Sequence, residues 1–170
     1  ATKLSDKFLN SDKGYIAEVT LGVSTSTDDS EGEIIFQSEV KTSLNQIELS
    51  LKQFRGKSMQ IPPFFSALKH KGKPLYKYAR DGEYITKPAR EITVHEIKDF
   101  KACLPRITFE IYCSKGTYIR SIARDLGESL GCGGHLSGLI RVLQGPFSLK
   151  NALTLDDLNW DHLIPLEELQ

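Results

Sequence analysis

RITFEIYCSKGTYIRSIARDLGESLG, residues 106–131, changes its hydrophobic period midway, and that change decides the fold class. Ile107, Phe109, Ile111 and Cys113 alternate with Thr108, Glu110 and Tyr112, the two-residue period of a strand with one face in the core. From Ile119 onward the apolar positions are Ile119, Ile122, Ala123, Leu126 and Leu130, a helical stripe. Gly131 stands where glycine ends helices, and Ser114 or Thr117 is placed to cap the start. Arg120 and Arg124 share the other face.

Working outward, YIAEVTLG (15–22) sets Tyr15, Ala17, Val19 and Leu21 against Glu18 and Thr20, so Tyr15 opens a half-buried strand. Residues 24–32 are a Ser/Thr/Asp/Gly turn, and Ile34, Ile35 and Phe36 supply the returning strand. Ser43 and Gln46 form a capping-box signature before Leu44, Ile47, Leu51 and Phe54, predicting a helix to about Phe54 that stops near Gly56. Pro62 and Pro63 forbid regular structure, and residues 91–100 read as a strand preceding 106–113. At the ends, Leu4, Phe8 and Leu9 have helical spacing, while the acidic tail carries Asp156, Asp157, Asp161, Glu167 and Glu168, with Thr154 and Asp157 at capping distance. With no internal repeat, these elements predict one α+β unit.

Composition narrows the class. The 170 residues carry 22 Lys+Arg and 22 Asp+Glu, with 39% hydrophobic and 26% charged residues, which excludes a disordered or fibrous chain. No apolar run approaches the roughly 20 residues that span a bilayer and no signal-peptide pattern opens the chain, so a soluble, cytoplasmic protein without a membrane partner is expected. Cys103, Cys113 and Cys132 are odd in number and form no CxxC pair, consistent with a reducing compartment. Cys132 and His135 lack a second pair at ligand spacing, so no metal is expected. Ala1 comes first and the sole methionine is Met59, which reads as a processed or cut piece.

Two constellations carry chemistry. Residues 68–80 hold Lys69, Lys71, Lys73, Lys77 and Arg80 beside Tyr76 and Tyr78, with no acid, the make-up of an RNA-gripping arm or of a solvated loop. In CSKGTYIR, residues 113–120, a turn with Lys115 opens a helix whose first residues include Arg120. A cation there opposes the helix dipole, costing on the order of 0.3–1 kcal/mol, so Arg120 either pairs with a carboxylate or phosphate or is a surface arginine. No hydrolase, metalloprotease or dinucleotide motif occurs, and His70, His95, His135 and His162 are scattered. Asp28, Asp29, Glu31 and Glu33 lack EF-hand spacing and read as a solvated turn.

Three stretches together resemble the tRNA pseudouridine synthase B (TruB) family: KGYIAEVTLGVSTSTDDSEG at 13–32, IPPFFSALKHKGKPLYKYARDGE at 61–83 and CSKGTYIRSIARDLGESLGCGGHLSGLIRVLQGPF at 113–147. The resemblance implies a mixed, mostly antiparallel sheet flanked by helices, isomerisation of a T-loop uridine (position 55) of tRNA, and no metal or cofactor. By position, Tyr15 matches the tyrosine that stacks on the target base and is implicated in C5 proton removal. Arg120 matches the arginine that pairs with the catalytic aspartate, and Leu139 an apolar residue lining the uracil pocket. Residues 61–90 correspond to the RNA-gripping loop, so Lys69, Lys71, Lys73, Tyr76 and Arg80, with Lys115 and Arg141, are the expected RNA contacts.

The family's nucleophilic aspartate lies in a Gly-x-Leu-Asp-Pro motif, which these residues do not contain. The chain is therefore expected to be the C-terminal part of a catalytic domain, without the aspartate segment or the C-terminal RNA-binding module. It is expected to be monomeric and inactive alone, with Arg120 unpaired, a companion N-terminal fragment being one partner besides the T stem-loop. The alternatives are a non-catalytic RNA-binding module and a scaffold piece of an RNA-modifying particle.

Overall fold

A computed structural model describes residues 8–162 and 164; Leu4, Glu167 and Glu168 lie outside them. Strand β1 (Lys13–Leu21) leads through Gly22 into a separate ribbon of β2 (Val23–Thr25) and β3 (Ile34–Gln37). Helix α1 (Leu44–Lys52) and β4 (Gly56–Gln60) follow, then a tiny hairpin, β5 (Lys69–His70) with β6 (Lys73–Pro74), and the short helix α2 (Leu75–Arg80). The chain ends its regular structure with β7 (Arg90–Cys103), β8 (Arg106–Cys113), α3 (Ile119–Ser129), β9 (Gly134–Gln144) and β10 (Phe147–Ser148), plus two single-turn 3₁₀ segments.

Six strands form one sheet in the order β10-β9-β1-β8-β7-β4, antiparallel at every ladder. The alternation read in 15–21 and 107–113 is realised in register: Ala17 lies opposite Phe109 and Val19 opposite Ile107. These four side chains and Ile111 are at most 1% exposed, so each contributes about the 1.5–3 kcal/mol expected of a buried apolar side chain, less for Ala17. On this face α3 lays Ile119, Ile122, Ala123 and Leu126, and α1 lays Ile47 and Leu51. Ser43 and Gln46 make the predicted capping box, though α1 ends at Lys52 and Gly56, with φ 102°, already begins β4. Gly127 lets α3 approach the chain closely before β9, because a Cβ there would stand 2.2 Å from the Gly133 carbonyl carbon.

Two strands have no clear sequence signal, for a physical reason. β4 carries Lys57, Ser58 and Met59 exposed, since it pairs only with β7. β9 shifts register twice against β1, between Gly14 and Tyr15 and between Glu18 and Val19, so its alternation is broken. The cap of α3 also differs from expectation. Its N-cap position is Tyr118, and the remote side chain of Gln60 does the capping: Oε1 accepts from Tyr118 N at 2.8 Å and Nε2 donates to Tyr118 O at 3.0 Å. Ser114 and Thr117 serve the turn, Ser114 Oγ accepting from Thr93 N and Thr117 Oγ1 donating to Ser114 O. No helix among the described residues is long and apolar enough to cross a membrane.

Candidate active site

Tyr15 lies on the α3-facing side of β1, half-buried against the core cluster. Its partner across the ladder is Arg141, and the next pair on that face is Ala17 with Leu139. Directly opposed residues of antiparallel strands share a face, so Tyr15, Arg141 and Leu139 stand together. Burial pushes the Tyr15 phenol up, and the Arg141 guanidinium works against that shift. Lys13 and Cys113 pair at the same end of the sheet. Burial pushes the Cys113 thiol up to about 11, and burial with the Arg141 charge lowers Lys13, whose ammonium donates to the Leu9 and Ser11 carbonyls.

Arg120 is not unpaired, contrary to expectation. Its Nη1 donates to Asp29 Oδ2 at 2.9 Å and to the Thr27 carbonyl at 3.3 Å, and Nη2 donates to the Phe65 carbonyl at 2.6 Å. One turn on, Arg124 Nη1 reaches Asp28 Oδ2 at 3.0 Å. The acidic turn is therefore no solvated loop: the Asp29 and Asp28 side chains are only 23% and 17% exposed. Burial pushes the Asp28 carboxyl up, with the Arg124 and Arg120 charges pulling it back. The overlooked signal was stoichiometric, since two adjacent acids matched two arginines four residues apart, which project from one helix face.

The Arg120 guanidinium lines a cavity of about 330 Å³ with Asp29, Glu31, Phe65, Tyr76 and Arg80, so it meets two of the predicted arm residues. Leu139, 46% exposed, lines a neighbouring cavity of about 260 Å³ that shares Asp29 and Glu31. Tyr15, Arg141 and Leu139 on the sheet thus continue through the acidic turn to Arg120. The other arm lysines stay outside this line. Lys69 and Lys71 are exposed, while Lys73 has a counter-charge just past the acid-free stretch, Asp81, and stands 4.5 Å over the Tyr78 ring. Lys115 donates to Asn10 Oδ1 at 2.9 Å. His135 Nδ1 lies 2.9 Å from the Val23 carbonyl and Cys132 Sγ donates to Gly133 O, and among the described residues no three His, Cys, Asp or Glu side chains group as a metal site.

Comparison with known proteins places this architecture among the pseudouridine synthases. A solved Cbf5-Nop10-Gar1 complex contains a chain that superposes with a TM-score of 0.67 and 27% identity, over 93% of this chain and 38% of that one. A structure of an H/ACA RNP bound to a substrate RNA containing 2'-deoxyuridine shares the fold with a TM-score of 0.63 at 23% identity, over 93% of this chain and 36% of that one. The model of the TruB family pseudouridylate synthase N-terminal domain matches residues 1–119, and that of the tRNA pseudouridylate synthase B C-terminal domain matches 120–168. The chain belongs to the TruB family. It is 44% identical over 159 residues to tRNA pseudouridine synthase B of Burkholderia mallei (strain NCTC 10247), covering 94% of this chain and 53% of the relative. It is 46% identical over 160 residues to that of Francisella philomiragia, covering 93% and 53%. The chain thus spans about half the length of the curated relatives it matches.

Proposed function

We propose that these residues form the C-terminal part of the catalytic domain of a tRNA pseudouridine synthase that isomerises the T-loop uridine at position 55. The observation that carries this reading is the continuous line from Tyr15 and Arg141 through Leu139 and the acidic turn to Arg120, occupied by the residues whose motifs match the family. In the reaction the N1–C1′ bond breaks, the detached uracil turns, and a C5–C1′ bond forms, with the C5 proton lost to solvent and one taken up at N1, so that the isomerisation is neutral overall. The base must leave the stack to reach such a site. Tyr15 supplies a flat surface for it, and Leu139 an apolar wall. Because burial holds the Tyr15 phenol above its ordinary value, it is neutral at neutral pH, and a C5 proton passes through it only as the phenol gives up its own.

A carboxylate attacking the sugar or ring must be ionised in a desolvated site, and the Arg120 guanidinium favours that state. In this reading the nucleophile is the aspartate of a Gly-x-Leu-Asp-Pro segment, which these residues do not contain, and Asp29 holds Arg120 in place to receive it. Lys69, Lys71, Lys73, Tyr76, Arg80, Lys115 and Arg141 contact RNA, the first three on the hairpin. The molecule acts as a cytoplasmic monomer on the T stem-loop, without a cofactor.

Tritium release from C5-tritiated uridine in a T stem-loop RNA tests the proposal. Full-length protein should release tritium, Tyr15→Phe in that protein should abolish release while sparing RNA binding, and the 170-residue chain alone should be silent. Wild-type release from Tyr15→Phe would take Tyr15 out of the proton transfer, whereas full-length protein that binds the RNA but releases no tritium would favour the RNA-binding module over the synthase.

A further inference from the structure

The acidic turn is held by more than its contact with Arg120. Asp28 has φ 62°, in the left-handed region that non-glycine residues adopt at a cost unless their surroundings hold them there. Here the surroundings do so. The Asp28 carbonyl accepts from Leu136 N at 3.0 Å, tying the turn to β9, and its carboxylate accepts from Arg124 Nη1 at 3.0 Å. Arg124 is itself oriented by Asp125, through Nε at 2.9 Å and Nη2 at 2.8 Å, and its Nη2 also reaches the Ile61 carbonyl at 3.4 Å.

The left-handed residue solves a geometric problem. Adjacent side chains on extended backbone point to opposite sides, yet the carboxylates of Asp28 and Asp29 both meet α3. Two rungs result, one helical turn apart. Each runs from the acidic turn through an arginine to the root of the arm: Asp29 through Arg120 to Phe65 O, and Asp28 through Arg124 to Ile61 O. The Asp28 rung adds a second side-chain tie to α3 in a turn whose backbone is already bonded to β9 at Leu136.

We propose that Asp28 and Arg124 are positioning residues, a second clamp that fixes how Asp29 presents the Arg120 guanidinium to the reacting carboxylate and couples that presentation to the arm. The inference rests on the synthase reading above. Aspartate at 28 accepts the pair's charge and tolerates the left-handed backbone better than most residues, which suits it to both demands.

The test uses full-length protein carrying Asp28→Asn, which keeps the shape and the left-handed tolerance but removes the charge. For T stem-loop uridine conversion, kcat should fall about tenfold with KM within about twofold, the signature of misplacement rather than lost binding. Arg124→Lys, which keeps charge but loses the guanidinium fork, should lose less. Amide hydrogen exchange across residues 26–33 should quicken in both variants. A wild-type kcat in Asp28→Asn, or in Arg124→Lys if the first does not fold, together with wild-type exchange across 26–33, overturns the clamp. If wild type itself binds RNA but converts no uridine, the synthase reading fails instead, and exchange across 26–33 alone decides the clamp: unchanged protection in the variants overturns it.

Discussion

The acidic turn at 28–33 and the basic hairpin at 69–74 are alike as sequence: short, charged and built on residues that favour turns. In the fold they are opposites. Asp28 and Asp29 are drawn onto α3 by two arginines, with Thr27 and Glu31 N adding hydrogen bonds to Asp29 Oδ1. Lys69 and Lys71 reach solvent, and among the described residues only Lys73 of the three is paired, to Asp81. Charge in a turn therefore does not by itself mean solvation. What decides is whether a packed element presents complementary charges at matching spacing, and α3 does this, whereas among the described residues the hairpin lysines meet one acid, Asp81 at Lys73.

Removing Arg120 gives the largest expected effect and the most direct way to break this contrast. Arg120→Ala leaves the Asp29 carboxylate, 23% exposed, with its main partner gone, and stability should fall by about 2–3 kcal/mol, below the usual cost for a fully buried pair because solvent still reaches it. Urea unfolding measures this. A change within about 0.5 kcal/mol would make the acidic turn as solvated as the hairpin. In full-length protein the same variant should lose turnover far beyond its loss of stability.

The hairpin should respond in the reverse sense. Lys69, Lys71 and Lys73 changed together to alanine should leave stability within about 0.5 kcal/mol yet weaken T stem-loop binding and flatten its salt dependence, by up to about 0.7–0.9 in log–log slope for each phosphate that is no longer neutralised. Singly, Lys73→Ala should matter less than Lys69→Ala or Lys71→Ala, because Lys73 already neutralises Asp81. An unchanged slope in the triple variant would reduce the hairpin to a solvated face.

Acid titration gives the smallest effect and sharpens the contrast further. Burial raises the Asp28 carboxyl, so between its unfolded and folded values the native state holds the extra proton, and this residue's contribution to stability falls as pH rises through that window. Asp28→Asn should lack that component in a pH series of melting temperatures. An identical acid limb in both proteins would mean that Asp28 titrates as a surface acid does.

Much of the scaffold was legible because its period and its burial coincide. The alternation in 15–21 and 107–113 and the stripe from Ile119 to Leu126 face one another across the core, so each was readable alone. β4 and β9 were not, since an edge strand with one partner and a strand whose register slips twice need not alternate. Of the candidate site, the motifs singled out Tyr15, Arg120, Leu139 and Arg141 as expectations, whereas the ion pairs of Asp28 and Asp29 and the Gln60 cap had no motif to mark them.

By itself, the sequence determined the α+β class, the face of each central element and the residue types available for chemistry, because local periodicity reports which side of a strand or helix meets the core. Only the tertiary structure decided that Arg120 and Arg124 would be neutralised by a turn more than ninety residues upstream, at separations of 91 and 96. Ion pairs between distant segments leave no periodic trace in either one. They exist only once the sheet and α3 have brought the two within hydrogen-bonding distance, where partial burial makes an unpaired charge costly.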